Sequence, residues 1–210
     1  MRFLSRILPP FLLLSALLLA CPAQASSIER FKTFVQTTQS ARADFTQNVR
    51  DRSGKPVQES KGSFVFLRPG RFRWVYDKPV DQVIVGDGER VWIYDRGLAQ
   101  VTVRKLARAL GSTPAALLAG STDVDAAFDL AEAGAKDGLE WLEAKPKDRE
   151  AGFEKIRMGF DAKGLQAMEL SDNFGQTTML RFTKLEPNAK VDAKEFRFDP
   201  PKGADVLGEK

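Results

Sequence analysis

The sequence predicts a mainly β, single-domain, antiparallel fold, and three observations carry that prediction. Runs of strand composition with period-two alternation recur at short spacing from residue 41 to residue 198. The turns between them repeat one chemistry. Asp51–Gly54, Asp161–Gly164 and Asp172–Gly175 each place aspartate first and glycine fourth, which suits a type I turn closed by a left-handed residue. No repeat, low-complexity segment or interdomain linker interrupts the series, and so long a meander must curl or close to protect its edges.

The N-terminus reads as a leader. Arg2 and Arg6, an apolar run from Phe11 to Ala20, and Ala23-Gln24-Ala25 form a charged region, a short hydrophobic region and a small-x-small cleavage site. Residues 1–25 are therefore expected to be a signal peptide and residues 26–210 the exported domain. The apolar run is short for a membrane span. Leu18-Leu19-Ala20-Cys21 is also a passable lipobox, which would make Cys21 a lipidated terminus; the Ala-Gln-Ala site fits better, and a soluble exported product is expected.

Composition removes whole classes of chemistry. Cys21 is the only cysteine and histidine is absent, so the mature chain has no disulfide, no serine–histidine or cysteine–histidine nucleophile, and no zinc site built on those ligands. Carboxylate-pair hydrolysis stays allowed, but no constellation points to it. No catalytic residue, metal or cofactor is expected, and no phosphate-binding glycine loop is present. The net charge is +4, and losing Arg2 and Arg6 with the leader leaves +2. That is too mild a charge to suggest nucleic acid.

In chain order, Ser26 and Glu29 are spaced for a capping box, followed by Ile28, Phe31, Phe34 and Val35 at helical spacing. From Ala41 the period becomes two, with Ala43, Phe45, Gln47 and Val49 on one face, as in an antiparallel sheet with one wet side. GSFVFLRPGRFRWVY, residues 62–76, reads as two strands about an Arg68-Pro69-Gly70 turn of type II chemistry. Phe64 and Phe66 share a face before it; Phe72, Trp74 and Tyr76 share one after it. Arg68, Arg71 and Arg73 are either the charges on the wet face of a half-buried hairpin or a cationic rim that suits this greasy surface to lipid or to a hydrophobic partner. Asp87-Gly88 signals a two-residue hairpin. Strands are expected at 57–67, 71–76, 80–86, 89–95, 98–104, 139–145, 153–160, 165–171, 177–184 and 195–198, with Asp123 and Asp125 facing solvent.

One large interruption lies between Val103 and Phe128. Leu106, Ala107 and Leu110 have helical spacing, and Thr113-Pro114 opens a short helix ending at Gly120. Ala115 to Ala119 are all apolar, so this helix has no face suited to water. It is either a plug in the concave face of the sheet or a lid over a cavity.

ARADFTQ, GSFVFLRPGRFRWVYDKP, VWIYD, LAQVTV, STPAALLAG and FRFDPPKGADV occur in one order along most of the mature chain. In that order and spacing they resemble the periplasmic lipoprotein carriers of the LolA family. The resemblance implies an incomplete, unclosed antiparallel β-barrel with a short α-helical lid over an apolar cavity. It further implies a monomeric, non-enzymatic carrier. Such a carrier accepts acylated lipoproteins from an inner-membrane ATP-driven transporter (LolCDE type) and delivers them to an outer-membrane acceptor (LolB type). By the same resemblance, Phe45, Phe64, Phe66, Trp74, Tyr76, Ile84, Trp92, Leu117 and Leu118 are expected to bind ligand. Arg68 is expected to close the lid, and Phe72 and Arg71 to contact a partner. A lipid- or lipoprotein-binding sensor on the same fold is the alternative. Arg71 and Arg73 make the strand after the turn unusually basic for the family.

Overall fold

A computed structural model describes residues 25–106, 118–120, 123–149 and 151–208. The leader, Cys21, the helical readings over 107–117 and Leu117 lie outside these described residues.

Helix α1 (Ser27–Thr37) begins where the capping box predicts. The Ser26 hydroxyl accepts from the Glu29 N–H, and the Glu29 carboxylate accepts from the Ser26 N–H. Its stripe buries Phe31, Phe34 and Val35. The strands follow as β1 (Ser40–Arg50), β2 (Pro56–Leu67), β3 (Arg71–Tyr76), β4 (Gln82–Asp87), β5 (Arg90–Asp95) and β6 (Gln100–Lys105). After the one-turn helix α2 (Val124–Ala127) come β7 (Phe128–Lys136), β8 (Leu139–Pro146), β9 (Phe153–Asp161), β10 (Gly164–Asp172) and β11 (Thr177–Pro187). A 3-10 helix (Ala193–Phe196) and β12 (Asp205–Gly208) complete the described chain.

All twelve strands belong to one sheet, ordered β12-β6-β5-β4-β3-β2-β1-β11-β10-β9-β8-β7. Every pairing is antiparallel except β12 on β6, which is parallel. Among the described residues the terminal strands β7 and β12 do not pair with each other, so the sheet is unclosed. Residues 195–198, expected as a strand, instead enter the 3-10 helix, because the Asp192 carboxylate accepts from the Lys194 N–H and forms a capping box with Glu195. Strand β7 escaped the sequence reading because FDLAEAGAK is rich in helix-favouring alanine, glutamate and lysine; pairing with β8 overrides that propensity. β12 escaped because only four residues pair.

The turns keep their chemistry. Gly54 and Gly175 sit at φ +82° and +84°, each after an aspartate whose carboxylate accepts backbone N–H groups across the turn. The β4–β5 turn is centred on Gly88-Glu89, one residue later than Asp87-Gly88. Asp87 ends β4 and accepts from the N–H groups of Glu89 (2.8 Å) and Arg90 (2.7 Å). Between β2 and β3 the expected type II turn is not formed: the Arg68–Pro69 bond is cis, whereas a type II turn is trans throughout, and Gly70 takes φ +71° in a three-residue loop.

Helix α1 packs on the concave face over β7–β10, with Phe31 against Phe160 at 6.5 Å between ring centroids. Its N-terminus is fastened by Glu132 of β7. That carboxylate accepts from the N–H groups of Ser27 (3.2 Å) and Ile28 (3.1 Å) and from the Ser27 hydroxyl, and those N–H groups have no partner inside the helix. Burial alone would raise the Glu132 pKa, but these hydrogen bonds outweigh it and hold it below the ordinary value. A carboxyl depressed on folding stabilises the fold above its unfolded pKa, and that contribution is lost as pH falls through the folded one. Acid unfolding of Glu132→Gln is therefore expected to show a shallower loss of stability below about pH 4.5 than the parent. Parallel stability curves of the two proteins through that range would refute the assignment.

Candidate functional site

Strand alternation sends Phe45 of β1, Phe64 and Phe66 of β2, and Phe72, Trp74 and Tyr76 of β3 to the concave face. Register sets their neighbours: Phe64 stands opposite Ala43 and Trp74, and Phe66 opposite Ala41 and Phe72. Small residues on β1 thus leave room for large ones on β2. Trp74 is the hub, 4.4 Å from the Phe64 ring, 4.8 Å from Phe45 and 6.3 Å from Tyr76 between centroids. Ile84, opposite Trp74 on β4, extends the wall. Beyond β1 the same face continues through Phe182, Leu180, Met168 and Met158. These four were within reach of the period-two pattern, but methionines and leucines in short runs do not announce which face they occupy.

Gly86 shows how closely this wall is packed. It lies opposite Phe72, and a Cβ built there would overlap the Phe72 ring. Gly86→Ala is expected to displace that ring and destabilise the fold by about 1–3 kcal/mol, the usual cost of overpacking. The check is the urea midpoint, and a midpoint equal to the parent's would show that the ring has room to move.

Above the wall sit Leu106, Leu118 and Ala119, at 8%, 1% and 0% exposure, in the same hydrophobic cluster. The β2–β3 loop fastens this roof. The Gly70 N–H donates to the Ala119 carbonyl at 2.7 Å, and Arg68 Nη1 donates to the Gly120 carbonyl at 3.0 Å. Arg68 Nε donates to the Thr38 carbonyl at 3.0 Å, and the guanidinium stands 5.3 Å from the Phe66 ring centroid. One side chain therefore joins the end of α1, the roof and the wall. Arg68 is 7% exposed, and burial pulls its pKa down to about 10, which leaves it cationic at neutral pH. Its Nη2 has no hydrogen-bond partner among the described residues.

Polar groups in the wall are few. The Tyr76 hydroxyl donates to Gln47 Oε1 at 2.9 Å, and burial, opposed by that bond, pushes the Tyr76 pKa up to about 12. The indoles of Trp92 and Trp141 donate to Asp87 and to the Lys136 carbonyl. Trp74 Nε1 is buried and finds no partner among the described residues.

Most of the expected ligand-binding residues thus come together, but Trp92 does not. On β5 it is Val91 and Ile93 that join the concave cluster, so alternation turns Trp92 and Tyr94 to the opposite face. There Phe198 covers both, at 5.7 Å and 5.9 Å between centroids. The signal was available, since Val91 and Ile93 alternate with the aromatics; ring size was a poor guide to direction. Phe72, expected at a partner contact, is fully buried in the wall. Arg71 is half-buried beside Gly88.

Comparison with known proteins agrees with this geometry. Residues 36–199 match the family model described as outer membrane lipoprotein carrier protein LolA. An outer-membrane lipoprotein carrier protein of Nitrosospira multiformis is 49% identical over 194 residues, covering 92% of this chain and 94% of that protein. One from Dechloromonas aromatica is 47% identical over 192 residues, covering 91% and 92%. Among solved structures, an uncharacterized conserved protein of Thermus thermophilus shares the fold at 16% identity with a TM-score of 0.52, covering 86% of this chain and 95% of that one. With an unclosed β-sheet, an aromatic concave wall and this extent of sequence identity, the chain belongs to the LolA family of outer-membrane lipoprotein carrier proteins.

Proposed function

We propose that the chain, exported by its leader and freed after Ala25, is a periplasmic carrier that shields the acyl chains of lipoproteins against this concave wall. It accepts them from an inner-membrane ATP-driven transporter and delivers them to an outer-membrane acceptor. The observation that carries the reading is the uninterrupted apolar wall from Phe64 to Met158 under a roof held by a few hydrogen bonds. Each methylene taken from water is worth about 0.8 kcal/mol, so an acyl chain needs such a surface to travel. Lipid entering replaces roof–wall contacts with lipid–wall contacts, which keeps the net affinity low enough for release. Transfer then runs downhill to an acceptor of higher affinity, and no nucleotide is consumed by the carrier. Arg68 fastens the closed state, and Leu118 occupies wall area that cargo takes over. Phe72 and Arg71 meet the transporter or acceptor once the roof has moved.

Incubation of residues 26–210 with spheroplasts is expected to release newly made lipoprotein into the soluble fraction as a one-to-one complex. No release by folded protein from compatible spheroplasts would overturn the carrier reading and favour a sensor of lipid or lipoprotein.

A further inference from the structure

Among the described residues three buried side-chain polar atoms lack a hydrogen-bond partner, Ser60 Oγ, Arg68 Nη2 and Trp74 Nε1, and Trp74 is the one set among the aromatic rings of the concave wall. Trp74 is 3% exposed, its ring lies among Phe45, Phe64 and Tyr76, and its Nε1 has no hydrogen-bond partner among the described residues. The other two tryptophans of the chain each have one, in Asp87 and the Lys136 carbonyl. A buried donor left unmatched costs stability that a phenylalanine at the same place would not. The Tyr76 hydroxyl donates to Gln47 Oε1, and neither oxygen accepts from the indole.

An indole N–H only donates, so what it meets must accept. The surroundings are aromatic and buried, and a carboxylate taken there would lose its hydration at far greater cost than a neutral carbonyl. We propose that the Trp74 indole N–H is a hydrogen-bond donor subsite for a neutral carbonyl oxygen, the ester or amide linkage of an acylated ligand lying on the concave wall. This rests on the acyl-binding reading and adds a chemical preference to it. The wall prefers chains that arrive esterified or amidated over bare hydrocarbon, and the carbonyl fixes how deep a chain can slide.

The test is an indole 15N–1H spectrum of the mature protein, which carries all three tryptophans. Methyl dodecanoate, N-methyldodecanamide and tridecane are titrated separately, with binding measured in parallel by competition with a fluorescent fatty-acyl probe. The expected result is a downfield shift of the Trp74 resonance with the ester, the amide or both, and none with tridecane; the larger of the two shifts identifies the preferred linkage. Trp74→Phe is expected to weaken carbonyl ligands about fivefold relative to tridecane, the range of one neutral hydrogen bond. If all three ligands bind but the Trp74 resonance responds alike to each, the subsite is refuted and the apolar wall stands. If none binds, the acyl-binding reading fails, and the subsite with it.

Discussion

Leu118→Asp is expected to open the molecule without unfolding it. Leu118 is 1% exposed in the concave cluster, and a carboxylate held there would cost several kcal/mol after relaxation. Against this stand, among the described residues, two hydrogen bonds that fasten residues 118–120, Gly70 N–H to the Ala119 carbonyl and Arg68 to the Gly120 carbonyl. They are worth about 1 and about 1.5–3 kcal/mol, so the segment leaves the wall before the carboxylate is buried. The sheet keeps its strand pairing, which nowhere runs through residues 118–120. Far-UV circular dichroism should be unchanged while binding of a hydrophobic dye rises severalfold, and delivery of lipoprotein should fall. Collapse of the β signal would instead identify residues 118–120 as a plug on which the sheet depends.

Arg68→Leu is expected to act on closure more than on folding. The substitution removes the bonds to Thr38 and Gly120 and the contact with Phe66, but it also removes a desolvated cation with one unmatched nitrogen. Those terms offset one another in global stability. They do not offset in closure, because the bond to Gly120 exists only when the roof is seated. Its loss, about 1.5–3 kcal/mol, should raise the open population about 10- to 100-fold. Faster amide exchange in peptides spanning Leu118–Gly120 reads this directly, with altered release of cargo to an acceptor. Arg68→Lys should not rescue, since a single ammonium lacks the planar fork that reaches two carbonyls at once. Unchanged exchange and transfer kinetics would end Arg68's role as the fastening.

The sequence disclosed the sheet better than its ends. Period-two runs and Asp-x-x-Gly turns located β1 to β6 and β8 to β11 because each such signal is local. β7 and the 3-10 helix were missed because their states are decided by neighbours: β8 offers an unpaired edge, and Asp192 offers a cap. The wall from Phe45 to Ile84 was legible because alternation and aromatic content agree there. At β5 they disagree, and alternation prevails: Trp92 leaves the wall for the outer face. Nothing in the sequence marks Trp74 as the tryptophan without a hydrogen-bond partner, since that depends on which atoms stand opposite after folding.

The unclosed sheet has a further consequence. A closed barrel has a girth fixed by strand number and stagger, and widening it means breaking a ladder. Here β7 and β12 are both termini of the sheet, so the two rims can part by untwisting with every strand–strand ladder intact. Capacity in such a vessel is elastic. A ligand laid on the concave face would meet a wall whose curvature can adjust without rebuilding its lining.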